Sequence, residues 1–105
     1  VTTPNYKSLA AKLRAALKRR GVSPPKYVKS KMVRWGYYTA DGIKVREGWS
    51  LLGPHIQTDV ILSEYAHGAA RITRMAALEA KLVEAAAEVG LEKGPQGWIA
   101  KGGTP

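Results

Sequence analysis

Asp41-Gly42, set between two β-compatible runs, constrains this chain more than any other pair of residues. Asp-Gly in such a setting is the strongest short-range hairpin signal, because Asp tolerates and Gly readily adopts the positive φ of a two-residue turn. Taken as that turn, the pair makes Ala40 oppose Ile43, Thr39 oppose Lys44, Tyr38 oppose Val45 and Tyr37 oppose Arg46. One face then collects Met32, Arg34, Gly36, Tyr38 and Ala40 with Ile43, Val45, Glu47, Trp49 and Leu51; it is mostly apolar and is expected to bury. The other collects Val33, Trp35, Tyr37 and Thr39 with Lys44, Arg46, Gly48 and Ser50. It is expected to meet solvent, with Tyr37 under Arg46 and Trp35 over the bare backbone of Gly48.

The flanking stretches read as helices. "NYKSLAAKLRAALKRRG" starts at Thr3-Pro4 or Asn5 and stops at Gly21, behind a basic last turn that suits the negative end of the helix dipole. At helical spacing Tyr6, Leu9, Ala10, Leu13, Ala16 and Leu17 share one arc. Lys7, Arg14 and Lys18 fall on one flank of it, Lys12 and Arg19 on the other. "VSPPKY" ends the helix, since paired prolines hold the backbone extended, and the basic run from Tyr27 to Trp35 is expected to be a strand. Thr58-Asp59 could cap a short helix carrying Val60, Ile61, Leu62 and Tyr65, although Gln57 to Leu62 would also pass as a third strand; helix is the preferred reading. Beyond Gly68 the spacing predicts a long helix to Val89, stopped by Gly90, with Ile72, Met75, Leu78, Leu82, Val83, Ala86 and Val89 as its apolar stripe. The expected fold is α+β: a basic N-terminal helix, a twisted antiparallel hairpin with room for a third strand, and a long C-terminal helix. Residues 1–90 form one domain in this reading, and 91–105 a flexible Gly/Pro-rich tail unless Trp98-Ile99 dock on the body.

Charge is distributed unevenly. Residues 1–46 hold 12 Lys/Arg against one acid, while 47–105 hold 5 Lys/Arg against 7 acids, within a formal net charge of +9. A polyanionic partner is the first inference, and the N-terminal half is where it would bind. With no cysteine there is no disulfide or thiolate metal site, which fits a reducing compartment, and no metal or cofactor is expected. No run approaches the ~18 apolar residues of a membrane span and no signal sequence opens the chain, so a cytoplasmic protein without membrane contact is expected. His55 and His67 have no ligand partners at metal spacing, and Ser63, His67 and Asp59 share one local segment with no nucleophile elbow. Catalysis is therefore not expected.

A binding surface is. Trp35 and Tyr37 as stacking platforms, with Lys29, Lys31, Arg34, Lys44 and Arg46 on phosphates, would suit single-stranded or irregular nucleic acid. Lys12, Arg14, Lys18 and Arg19 on the helix would extend the patch. An antiparallel ribbon also fits the major groove of DNA, so DNA and RNA both stay open. The alternative is a protein-binding module, which docks on a host factor or associates with itself through the alanine-rich stripe.

Two families share features with the chain. The element order, with "PPKY" entering the first strand, resembles the topology of a double-stranded RNA-binding domain, although "AHGAARITRM" offers only Arg71 and Arg74 where that family has a lysine-rich helix start. "LAAKLRAALKRRG" followed by "IKVREGWSLLGPHIQTDVILSEY" is similar to the large polyvalent protein-associated domain 29 family of phages and conjugative elements. That likeness covers about residues 8–65 and rests on Trp49, Gly53, Pro54, Val60 and Tyr65. It implies a mobile-element setting and a helix after Gly53-Pro54, without implying an activity.

Overall fold

A computed structural model describes residues 5–29, 36–63 and 68–101. Among these residues two helices, α1 (Tyr6–Arg19) and α2 (Gly68–Val89), accompany six strands: β1 (Lys26–Lys29), β2 (Gly36–Ala40), β3 (Gly42–Ser50), β4 (Gly53–Ile61), β5 (Leu91–Lys93) and β6 (Trp98–Ala100). The class is α+β. The strands form two antiparallel sheets, a two-stranded β1-β2 ribbon and a four-stranded sheet in the order β3-β4-β6-β5.

Local signals set α1. The Asn5 side chain accepts from the Ser8 N–H at 3.1 Å and caps the start. At the other end Gly21 N–H reaches Lys18 O and Val22 N–H reaches Leu17 O, the paired bonds of a Schellman stop. Val22, just beyond the stop, is buried, which ties the helix end to the core. The arc read from the sequence does face inward: Ala10, Leu13, Ala16 and Leu17 are buried, with Tyr6 and Leu9 packed at the margin. Both helices lie on one face of the four-stranded sheet, where these residues meet Ile43 and Val45 of β3, Ile56 of β4, Leu82, Ala85 and Ala86 of α2, and Trp98. The buried side of α2 is thus confined to its C-terminal half. Residues 68–74 are exposed throughout, and Ile72 and Val83, assigned to the apolar stripe, face solvent.

The Asp41-Gly42 hairpin does not form. β2 pairs with β1, and β3 pairs with β4 over nine residues from Gly42↔Ile61 to Ser50↔Gly53. Gly42 is not among the positive-φ residues, so Asp41-Gly42 is a crossing between two sheets rather than a turn. Its chemistry is used differently. The Asp41 carboxylate accepts from the Ser63 N–H and from Arg74, each at 2.7 Å, which joins the crossing to the end of β4 and to α2. A side chain at Gly42 would run into Ser23 O and the backbone of Pro24 and Pro25. That segment lies along the outer edge of β3, where Ile43 N–H donates to Ser23 O and the Arg14 guanidinium donates to Val45 O at 2.6 Å. The exposed edge of the sheet is thereby partly capped.

The hairpin that does form turns at Leu51-Leu52, where the sequence has no Asn or Asp. Among the described residues no non-glycine has positive φ, so the turn relies on Gly53 at φ +102°. Residues 53–61 are strand, which corrects the preferred helix from its cap at Thr58-Asp59 through Ile61 and is at odds with a helix directly after Gly53-Pro54, as the phage-family likeness implies; Tyr65 lies outside the described residues. Trp98 and Ile99 do dock. β5 and β6 extend the main sheet, Trp98 is buried opposite Ile56, and its Nε1–H donates to Thr58 Oγ1 at 3.0 Å, so 91–101 is not a loose tail. Ala100 N–H donates to the Tyr6 hydroxyl, closing the C-terminal strands onto α1.

Candidate nucleic-acid interface

The two tyrosines of the ribbon define the site. The β1-β2 register sets Tyr27 opposite Tyr38, ring centroids 5.2 Å apart at 63°, and the Tyr27 hydroxyl accepts from Gly36 N–H at 2.7 Å. Tyr27 remains more than half exposed. Across the Asp41-Gly42 crossing, Lys44 is the first outward-facing residue of β3, and its ammonium lies 5.2 Å from the Tyr38 ring centroid. Arg46 follows two residues on, hence on the same outer face, and Lys29 shares the face of Tyr27 at the other end. Lys29, Tyr27, Tyr38, Lys44 and Arg46 therefore form one strip that runs from ribbon to sheet. Beside it, a groove of about 200 Å³ lies between the end of α1, Val22–Pro24 and the edge of β3, with Arg14, Lys44 and Arg46 at its rim.

Several expected roles change. Lys44 over Tyr38 replaces the expected Arg46–Tyr37 pair, and Tyr38, expected in the core, is half-buried on the ribbon. Tyr37 lies opposite Val28 on the reverse side of the ribbon from Tyr27. Trp49, expected to point inward, is 78% exposed because it lies near the hairpin tip, beyond the helices. A side chain at Gly48 would meet the imidazole of His55, which is buried there and so takes the place given to Trp35. Lys31, Arg34 and Trp35 lie outside the described residues. Tyr27 and Tyr38 were missed as site residues because their importance comes from β1-β2 pairing, which the Asp-Gly signal concealed.

The cations of α1 divide by flank. Arg14 is turned onto the β3 edge, with Lys18 one helical turn further along the same flank. Arg19 faces α2 instead and pairs with Glu88, as does Arg20 at 3.0 Å, with Glu84 at 3.6 Å from Arg20. The hydrogen bond from Arg20, joined by that from Arg19, holds the Glu88 carboxyl below its ordinary range. Lys12 and Lys18 are exposed, with no ion pair among the described residues. At Asp41, partial burial acts to raise the carboxyl pKa, but the Ser63 N–H bond together with the bond and charge of Arg74 outweighs it and lowers the value.

His55 is tied into the sheet, its Nδ1 3.3 Å from Gly53 O and its Nε2 3.2 Å from the Gln57 amide nitrogen. A Gln57 amide that donates to Nε2 leaves the proton on Nδ1, directed at the turn carbonyl. Ser63 is buried with its N–H on Asp41, and His67 lies outside the described residues. Among the described residues no cluster of three metal-ligating side chains is present, and no helix is long and apolar enough to cross a membrane.

The fold and strip define a small α+β protein with a cationic, aromatic face. Compared with known proteins, the chain matches no family model, no curated protein and no solved structure.

Proposed function

We propose that this protein is a non-catalytic nucleic-acid-binding protein, and that, in line with its resemblance to a phage and conjugative-element family, it serves a mobile element. The observation that carries the reading is the strip Lys29-Tyr27-Tyr38-Lys44-Arg46, in which a pair of tyrosine rings is flanked by ammonium and guanidinium groups along one surface. Phosphates would sit on Lys29, Lys44 and Arg46, with Lys18 and Arg14 at the groove beside them. Tyr27, the more exposed ring, is the platform for an unstacked base. Tyr38 serves a different purpose: with Lys44 on its face and Tyr27 at its edge, it holds the strip together.

The test is a titration of random-sequence single- and double-stranded oligonucleotides by fluorescence anisotropy across salt. Wild-type affinity is expected to fall steeply with salt. Replacing Lys29, Lys44 and Arg46 together by Ala should remove measurable binding at moderate salt and reduce the salt slope by about one for each phosphate no longer neutralised. Lys81→Ala, on α2 and outside the strip, should leave the slope unchanged. A wild-type protein that does not bind, or binds independently of salt, would rule the reading out.

A further inference from the structure

Three apolar side chains stand unpartnered at the β3-β4 hairpin tip. Trp49, Leu51 and Leu52 are 78%, 106% and 68% exposed, an unusual display for a solvent-facing turn. The tip is braced: Leu52 N–H donates to Ser50 Oγ at 3.1 Å, and buried His55 stands behind Gly53. An apolar, convex and fixed knob of this kind fits a concave apolar site.

The same chain carries one. A groove of about 610 Å³ runs between α2 and the far end of β4, with Val60, Met75, Val83 and Trp98 along it and Asp59, Glu79 and Lys93 as its charged side chains. Val83 is 57% exposed there. Knob and groove lie at opposite ends of one hairpin. From Gly53 to Val60 is seven residues, about 23 Å of extended chain, so the tip cannot fold back into its own groove.

We infer that the protein associates with itself head to tail, the Trp49-Leu51-Leu52 tip of one copy seated in the α2-β4 groove of the next. Charge favours this pairing as well as shape. Behind the entering tip Lys44 and Arg46 outweigh Glu47, while around the receiving groove Asp59 and Glu79 outweigh Lys93, so the net charges of the two surfaces are small and opposite. The contact is heterologous, since the surface used by one copy differs from that used by the other. Assembly therefore continues into rings or filaments unless an end is blocked. The inference uses neither the ribbon nor the tyrosines, and shares only Lys44 and Arg46 with the proposed nucleic-acid strip.

Sedimentation velocity on the nuclease-treated full chain tests it. Wild-type mass should rise with concentration, and rise further in sulfate, which screens the net positive charge and strengthens apolar contact; nucleic-acid binding responds to salt in the opposite sense. Leu51→Asp/Leu52→Asp and, separately, Val83→Glu should each give a monomer with wild-type circular dichroism and melting temperature, because all three positions are exposed. Mixed in equal amounts, the two variants should form a dimer that grows no further, since one retains a groove and the other a tip. A wild-type protein that stays monomeric up to millimolar concentration overturns the inference. So does assembly that survives both sets of substitutions, or a mixture that stays monomeric. Tip-dependent pelleting of a monomeric wild type with anionic-lipid vesicles would assign the tip to a bilayer instead.

Discussion

The two hairpins of this protein use the same backbone pairing to opposite ends. β3-β4 pairs nine residues per strand and turns one face into the core, where Ile43, Val45 and Ile56 are buried under both helices. The β1-β2 ribbon pairs four residues, and every residue of β1 is exposed. A lone two-stranded ribbon is at best marginally stable in water. Here it is supported by the Tyr27–Tyr38 contact and by Lys44, which reaches across from the main sheet. Backbone pairing alone does not make a strand rigid; burial of a face does. The face that the ribbon leaves unburied is the one available to a ligand.

Truncation should separate the two most sharply. Ile56→Ala removes a fully buried side chain between α1 and Trp98, and is expected to cost about 3–4 kcal/mol in urea unfolding. Val28→Ala, the equivalent change in the ribbon, should stay within about 0.5 kcal/mol. Equal losses would mean that the ribbon is packed as tightly as the sheet.

Asp41, at the joint between the hairpins, comes next. Asp41→Ala removes the acceptor for Ser63 N–H and Arg74 and should cost about 1–2 kcal/mol. Because the folded carboxyl titrates below its ordinary value, its contribution is complete above about pH 4 and is lost as pH falls through the lowered value. Melting curves of wild type and variant should therefore run parallel at neutral pH and converge toward strong acid. A gap that widens on acidification would contradict the assignment. A smaller effect than at Asp41 is expected at Tyr38→Leu, which should loosen the ribbon by about 0.5–1 kcal/mol. Hydrogen exchange should accelerate at β1 and β2 amides and not at β3-β4; acceleration in both would mean that the hairpins open as one unit.

Much of the architecture was legible from residue order. The apolar arc and stop of α1 could be read at helical spacing, because each depends on neighbours within a turn or two: Asn5 on Ser8, Gly21 on Lys18. The bounds of α2 were legible for the same reason, although its stripe was drawn too long; sequence does not say that the sheet ends before Ile72 is covered. In the candidate site, Lys29, Lys44 and Arg46 were found by charge and alternation. Tyr27 and Tyr38 were not, since they become neighbours only through β1-β2 pairing.

The sequence by itself determined the two helices, the basic character of the N-terminal half and the α+β class, all of which follow from local periodicity and composition. Tertiary structure alone decided which strands pair. Asp41-Gly42 has the chemistry of a tight turn, but the same carboxylate also meets Ser63 and Arg74, and the missing side chain of Gly42 also admits the Ser23-Pro25 segment. The turn formed instead at Leu51-Leu52. Turn preference is a weak local bias, whereas joining β3 to β4 lets Ile43, Val45 and Ile56 share one buried face, and burial of that size outweighs it.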